Sequence, residues 1–215
     1  KQVDRIRAEF GEETAIVCAM SGNFVQRGAP AIMDKSVRAQ AAVACGADLV
    51  LELPVTAALS SAEGFAAGGV KLLSPLCDYL CFGAETANMD ILLSVAQALL
   101  SDSFPPLLRS FLESGMSFPS ARQAALEQLG ADSEVLCLPN NILGVEYEKN
   151  CLVRGLNSFT ITRIGAAHDG ETREGIASAS RIREGIAADR DMTPYMTDSS
   201  SNILIREQLK GGKSD

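Results

Sequence analysis

Four short segments of this chain gather amide, hydroxyl and cationic residues with glycine, a combination suited to holding phosphate and nucleoside groups. Ser21-Gly22-Asn23-Phe24-Val25-Gln26-Arg27-Gly28 is polar, flanked by glycines and carries one cation. Its backbone N–H groups with Arg27 can face an anion, or its glycines only turn a surface loop. Gly83-Ala84-Glu85 sets a glycine where a strand should end, which lets a ligand ring or ribose approach the backbone, although a plain turn needs no more. Leu138-Pro139-Asn140-Asn141-Ile142-Leu143-Gly144 places two amides at the mouth of a helix. Capping accounts for at least one of them and leaves the other for a base or ribose. Arg163 leaves a further strand, and after Gly165 and His168 comes Ile176-Ala177-Ser178-Ala179-Ser180-Arg181-Ile182-Arg183. Small hydroxyl residues opening a helix, with Arg183 beyond them, bring N–H groups, helix dipole and guanidinium onto one phosphate. A Ser-capped surface helix is the competing reading.

Other chemistries have little material. His168 is the one histidine, read as a loop residue that titrates without a role, so Cys/His catalysis or a multi-histidine metal site is not expected. The six cysteines, Cys18, Cys45, Cys77, Cys81, Cys137 and Cys151, lie mostly in apolar patterns, and Cys77 and Cys81 lack zinc-ligand spacing. Buried reduced thiols and no structural metal are expected. Neither a Walker A motif nor GxGxxG occurs, so a nucleotide must be held differently from P-loop and dinucleotide-binding proteins. The formal net charge of −8 argues against a protein that coats DNA or RNA non-specifically. The one diffuse basic stretch, Arg154 to Arg190, is mixed with acids. No apolar run approaches the roughly 20 residues of a membrane helix, and the first residues read as an amphipathic helix rather than a signal peptide. A cytoplasmic protein is expected.

The elements that must position these segments are legible from their periodicity. Thr14–Met20 (TAIVCAM), Asp48–Leu53 (DLVLEL), Asp78–Phe82 (DYLCF) and Ser158–Ile164 (SFTITRI) are apolar, β-branched strand patterns. Between them lie helical patterns over Asp34–Cys45, Ser60–Leu73 and Asn141–Arg154, and Ser178–Ala188 follows the last strand. Alternation of this kind predicts an α/β protein with a doubly wound parallel sheet and helices on both faces. Ligand chemistry is then expected outside the carboxyl ends of the strands. Residues 89–130 read as a helical insertion broken at Pro105-Pro106 and at Ser117-Phe118-Pro119. The expected organisation is one principal domain over 1–188 and a polar segment over 189–215.

Taken together, SGNFVQRG (21–28), DLVLELP (48–54), SAEGFAAGGV (61–70), DYLCFGAE (78–85), PNNILGVEY (139–147), ITRIGAAH (161–168) and IASASRIR (176–183) resemble the tRNA(Met) cytidine acetate ligase family in order and spacing. The resemblance implies a nucleotidyltransferase-like Rossmann fold and an ATP-dependent reaction. Acetate becomes acetyl-adenylate with release of pyrophosphate, and the acetyl group passes to N4 of the wobble cytidine of elongator tRNA(Met). It carries ATP contacts onto Gly83, Asn140 or Asn141, and Arg163, and a phosphate-binding signature onto Ser178 and Arg183. The loop of Ser21, Gly22, Asn23, Gln26 and Arg27 lies near the phosphates in this reading. Mg²⁺ is expected with the ATP, held mainly by phosphate oxygens and water. The family opens with a strand and an HxGH-type loop and continues beyond the point matching Asp215, so the resemblance implies that this sequence starts after that loop and stops short of the family's tRNA-gripping region. Two other readings fit the same residues: a nucleotidyltransferase that adenylylates a phosphorylated small molecule, and a non-catalytic nucleotide-binding module.

Overall fold

The structure, a computed structural model, describes residues 2–86, 88–162 and 179–203. In chain order its elements are α1 (Gln2–Phe10), β1 (Val17–Ser21), α2 (Lys35–Ala44), β2 (Leu49–Leu53), α3 (Val55–Ala58), α4 (Ala62–Leu73), β3 (Tyr79–Ala84), α5 (Met89–Leu100), α6 (Phe104–Glu113), α7 (Phe118–Gln128), α8 (Pro139–Arg154), β4 (Asn157–Thr162) and α9 (Ala179–Ala187). The chain divides into two compact units, Lys1–Val55 with Ile164–Asp215, and Thr56–Arg163. The four described strands form two parallel pairs, β1 with β2 and β3 with β4. No single helix among the described residues is long and apolar enough to cross a membrane.

In the first unit the strands run in register from Val17 opposite Leu49 to Ser21 opposite Leu53. Asp48 aligns them: its carboxylate accepts from Ile16 N at 2.8 Å while its own N–H donates to Ile16 O at 2.8 Å. β1 therefore begins at Val17, three residues later than the apolar pattern suggests. Asp34 caps α2 as its sequence position predicts, accepting from Ser36 N and Ser36 Oγ at 2.8 and 2.6 Å. These bonds hold the Asp34 carboxyl below its ordinary pKa. Gly46, at φ +103°, turns the chain out of the helix.

The second unit is built around α8. β3 and β4 pair from Tyr79 opposite Asn157 to Ala84 opposite Thr162, and α5 to α8 lie in the connection between them. Leu80, Phe82 and Ala84 of β3 are buried, as are Ala66 and Val70 of α4, Leu92, Val95 and Ala96 of α5, Ala125 and Leu126 of α7, and Val145 of α8. Gly144 allows α8 to approach β3 closely, because a Cβ there would lie 3.1 Å from Phe82 Cε2. The Phe82 ring also meets Tyr147, with centroids 5.2 Å apart. Residues 89–128 are helical as expected, but Pro105 and Pro106 open α6 instead of breaking a helix, the break lying just before Phe104. Proline is tolerated in a first turn, where its missing N–H would have had no intrahelical partner.

α8 carries acids inside the unit. Glu146, with a side chain only 4% exposed, accepts from Arg122 Nη2 and Lys149 Nζ, both at 2.7 Å. Two cations on one buried carboxylate make this a linked network, which removing the carboxylate would leave uncompensated. Glu148 is also buried and accepts from Ser158 Oγ at 2.9 Å, while its Oε1 has no hydrogen-bond partner among the described residues. Burial pushes the Glu148 pKa up, against the smaller opposing effect of Ser158. A carboxyl raised on folding contributes stability below its unfolded pKa and loses it as pH rises through the folded value. Glu148→Gln, neutral at every pH, is therefore expected to melt above the wild type near neutral pH, with the difference shrinking toward about pH 4. Thermal melts of both proteins across that range check it.

Candidate functional site

The carboxyl ends of β3 and β4 lie level, since Gly83 pairs with Ile161 and Ala84 with Thr162. Gly83, half-buried, is the next-to-last residue of β3. The chain leaves the strand through Glu85 and Thr86, and both reach the first turn of α8. Glu85 Oε1 accepts from Asn140 N at 3.3 Å and from Asn140 Nδ2 at 2.5 Å, and Glu85 Oε2 accepts from Asn141 N at 2.8 Å. Asn141 is fully buried, its Oδ1 accepting from Thr86 N at 2.9 Å and its Nδ2 donating to Thr86 Oγ1 at 3.0 Å. Gly83, Asn140 and Asn141 thus share one end of one unit, and Arg163 follows Thr162 in sequence but lies outside the described residues.

The capping expected of the asparagines is corrected by this geometry. α8 begins at Pro139, so Asn140 and Asn141 lie inside its first turn rather than before it, and the N-cap position falls to Leu138, whose side chain cannot cap. A helix opening on Pro has to borrow its cap, and Glu85 supplies the acceptor. Asn140 is half-buried, and its Oδ1 has no partner among the described residues. Sequence reasoning left Glu85 and Thr86 out of the site. The available signal was an acid two residues after Gly83, directly beyond the end of the strand.

In the other unit, the segment after β1 folds into a small turn. Phe24 and Pro30 form an antiparallel bridge, and Gly28, at φ +76°, closes the turn by donating to Val25 O at 2.8 Å. Arg27 is exposed on it, Gln26 is half-buried, and neither has a hydrogen bond or ion pair among the described residues. Asn23 uses its Oδ1 to accept from Lys35 N at 2.8 Å, at the start of α2. The carbonyls of Ser21 and Gly22 are held by Arg38 Nη2, at 2.9 Å for Ser21, and Arg38 Nε donates to Met33 O at 3.2 Å. A Cβ at Gly22 would meet the carboxylate of Glu52, the movable end of a half-exposed side chain whose Oε2 accepts from Lys35 Nζ at 2.7 Å. Arg183 is exposed on α9 with Nη2 donating to Ser180 Oγ at 3.1 Å. Ser178 and His168 lie outside the described residues.

A family profile described as HIGH Nucleotidyl Transferase matches residues 2–213. This chain belongs to that family. It is similar to the tRNA(Met) cytidine acetate ligase of Clostridium botulinum (strain Okra), 42% identical over 193 residues, which cover 83% of this chain and 47% of that protein. It is 40% identical to the ligase of the same name from Acetivibrio thermocellus over 215 residues, covering 91% of this chain and 51% of that one. Among solved structures, apo Thermotoga maritima TmcAL superposes with a TM-score of 0.85 at 35% identity, covering 97% of this chain and 54% of that chain. TmcAL bound with alpha-thio ATP superposes with a TM-score of 0.84 at 34% identity, covering 98% of this chain and 52% of that chain. The chain therefore spans about half the length of the curated relatives it matches. The nucleotidyltransferase-like fold and the resemblance drawn from the motifs are both borne out.

The cysteines are not in disulfides, but most are not buried, which corrects one expectation: only Cys151 is buried, Cys137 is exposed, and the other four are intermediate. Cys137 closes a short 3-10 turn next to the α8 mouth, where an apolar neighbourhood in sequence does not enforce burial. Burial, reinforced by Glu148, pushes the Cys151 thiol up to about 12. Timed alkylation of the native protein read by mass spectrometry is expected to modify Cys137 first and Cys151 last.

Proposed function

We propose that the protein of which this chain is part is an ATP-dependent ligase that acetylates N4 of the wobble cytidine of elongator tRNA(Met). The observation that carries this reading is the sustained identity to proteins named for that activity, joined to the clustering of Gly83, Asn140 and Asn141 at the carboxyl ends of β3 and β4. Strand ends of an open parallel sheet are where such folds bind ligands, and the TmcAL structure holding alpha-thio ATP shows that a similar protein binds a nucleotide analogue.

In the first half-reaction an acetate oxygen attacks the α-phosphorus of ATP and the bond to pyrophosphate breaks, giving acetyl-adenylate. In the second the cytidine N4 amine attacks the acetyl carbonyl, AMP departs and the amine gives up a proton. Neither step requires a side-chain nucleophile. Positioning and charge stabilisation suffice, so cations and fixed amides are the expected equipment. Arg163 and Arg183 are assigned to the phosphates, with Ser178 beside them and the Ser21–Arg27 loop as a further phosphate contact through Arg27. Mg²⁺ accompanies the nucleotide and screens its phosphate charge when bound. Among the described residues no group of three His, Cys, Asp or Glu side chains could hold it, which suits an ion carried by phosphate oxygens and water. The proposed location is the cytoplasm, where tRNA and ATP are both at hand.

The test is acetate-dependent exchange of labelled pyrophosphate into ATP by the full-length protein. Exchange that requires acetate is expected, and exchange absent under conditions where ATP binds would overturn the ligase reading. In the same protein Arg163→Ala is expected to weaken ATP binding by about 1–3 kcal/mol, the range for losing a charge-assisted hydrogen bond to phosphate. Calorimetric titration with ATP measures it, and an unchanged affinity removes Arg163 from the site.

A further inference from the structure

The first turn of α8 leaves no backbone donor for a ligand. Pro139 has no N–H, the N–H groups of Asn140 and Asn141 are taken by Glu85, and Ile142 N donates to Leu138 O at 3.0 Å. A helix N-terminus ordinarily attracts phosphate through free N–H groups and a partial positive charge. Here both are already answered by a carboxylate of the chain itself. A phosphate brought to this helix end would find no free backbone donor and would meet the Glu85 charge.

The same carboxylate fixes the neighbouring amide. Glu85 Oε1 accepts from Asn140 Nδ2 at 2.5 Å, which turns that side chain so that its Oδ1 and the second Nδ2 hydrogen are left without a partner among the described residues. Asn141 cannot serve instead, because Thr86 engages both its Oδ1 and its Nδ2. What the α8 mouth offers is thus a neutral amide whose acceptor is open, suited to an amine or hydroxyl, next to a carboxylate that disfavours a phosphate.

We infer that Glu85 is a positioning residue: it orders Asn140 toward the uncharged nucleoside end of the nucleotide and closes the α8 terminus to phosphate. This rests on the nucleotide-binding reading above and deepens it. The phosphates then belong to cations elsewhere in the chain, and the α8 mouth contributes equally to the affinity for adenosine and for ATP.

The experiment is calorimetric titration of the full-length protein with adenosine and, separately, with ATP, for wild type and Glu85→Gln, with melting curves alongside. Glutamine presents an N–H₂ group to one of the donors that Glu85 accepts from, so it cannot hold both sides of the turn. The expected result is a loss of about tenfold for adenosine and a matching loss for ATP, the size of one charge-assisted hydrogen bond. Unchanged affinities, or a lowered melting temperature with binding intact, overturn the positioning role. Tighter binding of ATP alone means that Glu85 was repelling phosphate from a site that does take it, and overturns the nucleoside assignment. A wild type that binds neither ligand overturns the nucleotide reading itself, and this inference with it. Should Glu85→Gln fail to fold, Asn140→Ala keeps the backbone bonds to Glu85 and is read in the same titrations. Equal losses for the two ligands support the inference, and a loss confined to ATP overturns it.

Discussion

A helix that starts inside a protein must find partners for the N–H groups of its first turn, because buried donors left open cost about as much as a lost hydrogen bond each. In the unit spanning Thr56–Arg163 that demand falls on α8, whose buried residues run from Asn141 to Cys151. It is met by Glu85, the residue directly after β3. The strand end and the helix start are thereby tied by charge-assisted bonds, and the close contact of Gly144 with Phe82 continues the attachment one turn further along. Gly83 and Asn140, two of the residues proposed to meet the nucleotide, lie at this joint, so their geometry inherits the rigidity of the core.

The unit containing β1 and β2 fixes its loop by the opposite charge arrangement. There the groups needing partners are part-buried carbonyls, and Arg38 of α2 holds those of Ser21, Gly22 and Met33 with one planar guanidinium. This leaves Arg27, at the turn tip, without a structural task among the described residues. The two arginines are separated by function: one shapes the loop from behind, and the other is presented by it.

Much of this was legible in the sequence, and the boundary between what was and was not follows the range of the interactions. The β-branched runs, the Asp34 cap of α2 and the glycine turn at Gly46 rest on neighbours a few residues apart, and they appear where the pattern places them. The motif clusters were legible as well, and the family they resemble is the one to which similarity was found. The role of the asparagines was not legible, because it depends on Glu85 and Thr86, more than fifty residues earlier in the chain. Nor was the burial of Glu146 and Glu148. Nothing within GVEYEKN itself marks these acids as buried, and it is the arrival of Arg122 from α7 and Ser158 from β4 that makes burial tolerable. Cys137 shows the converse, an apolar context in sequence with an exposed side chain in space.

The level ends of β3 and β4 restrict how related chains can vary in length. Ala84 stands opposite Thr162, and each strand hands the chain directly to a segment assigned to the ligand. One residue added within β3 would turn its side chains to the opposite face and carry Glu85 off its level. Added residues between α5 and α7 would leave both strand ends where they are. The helical stretch between Met89 and Gln128 is therefore a natural place for chains of this kind to differ in size.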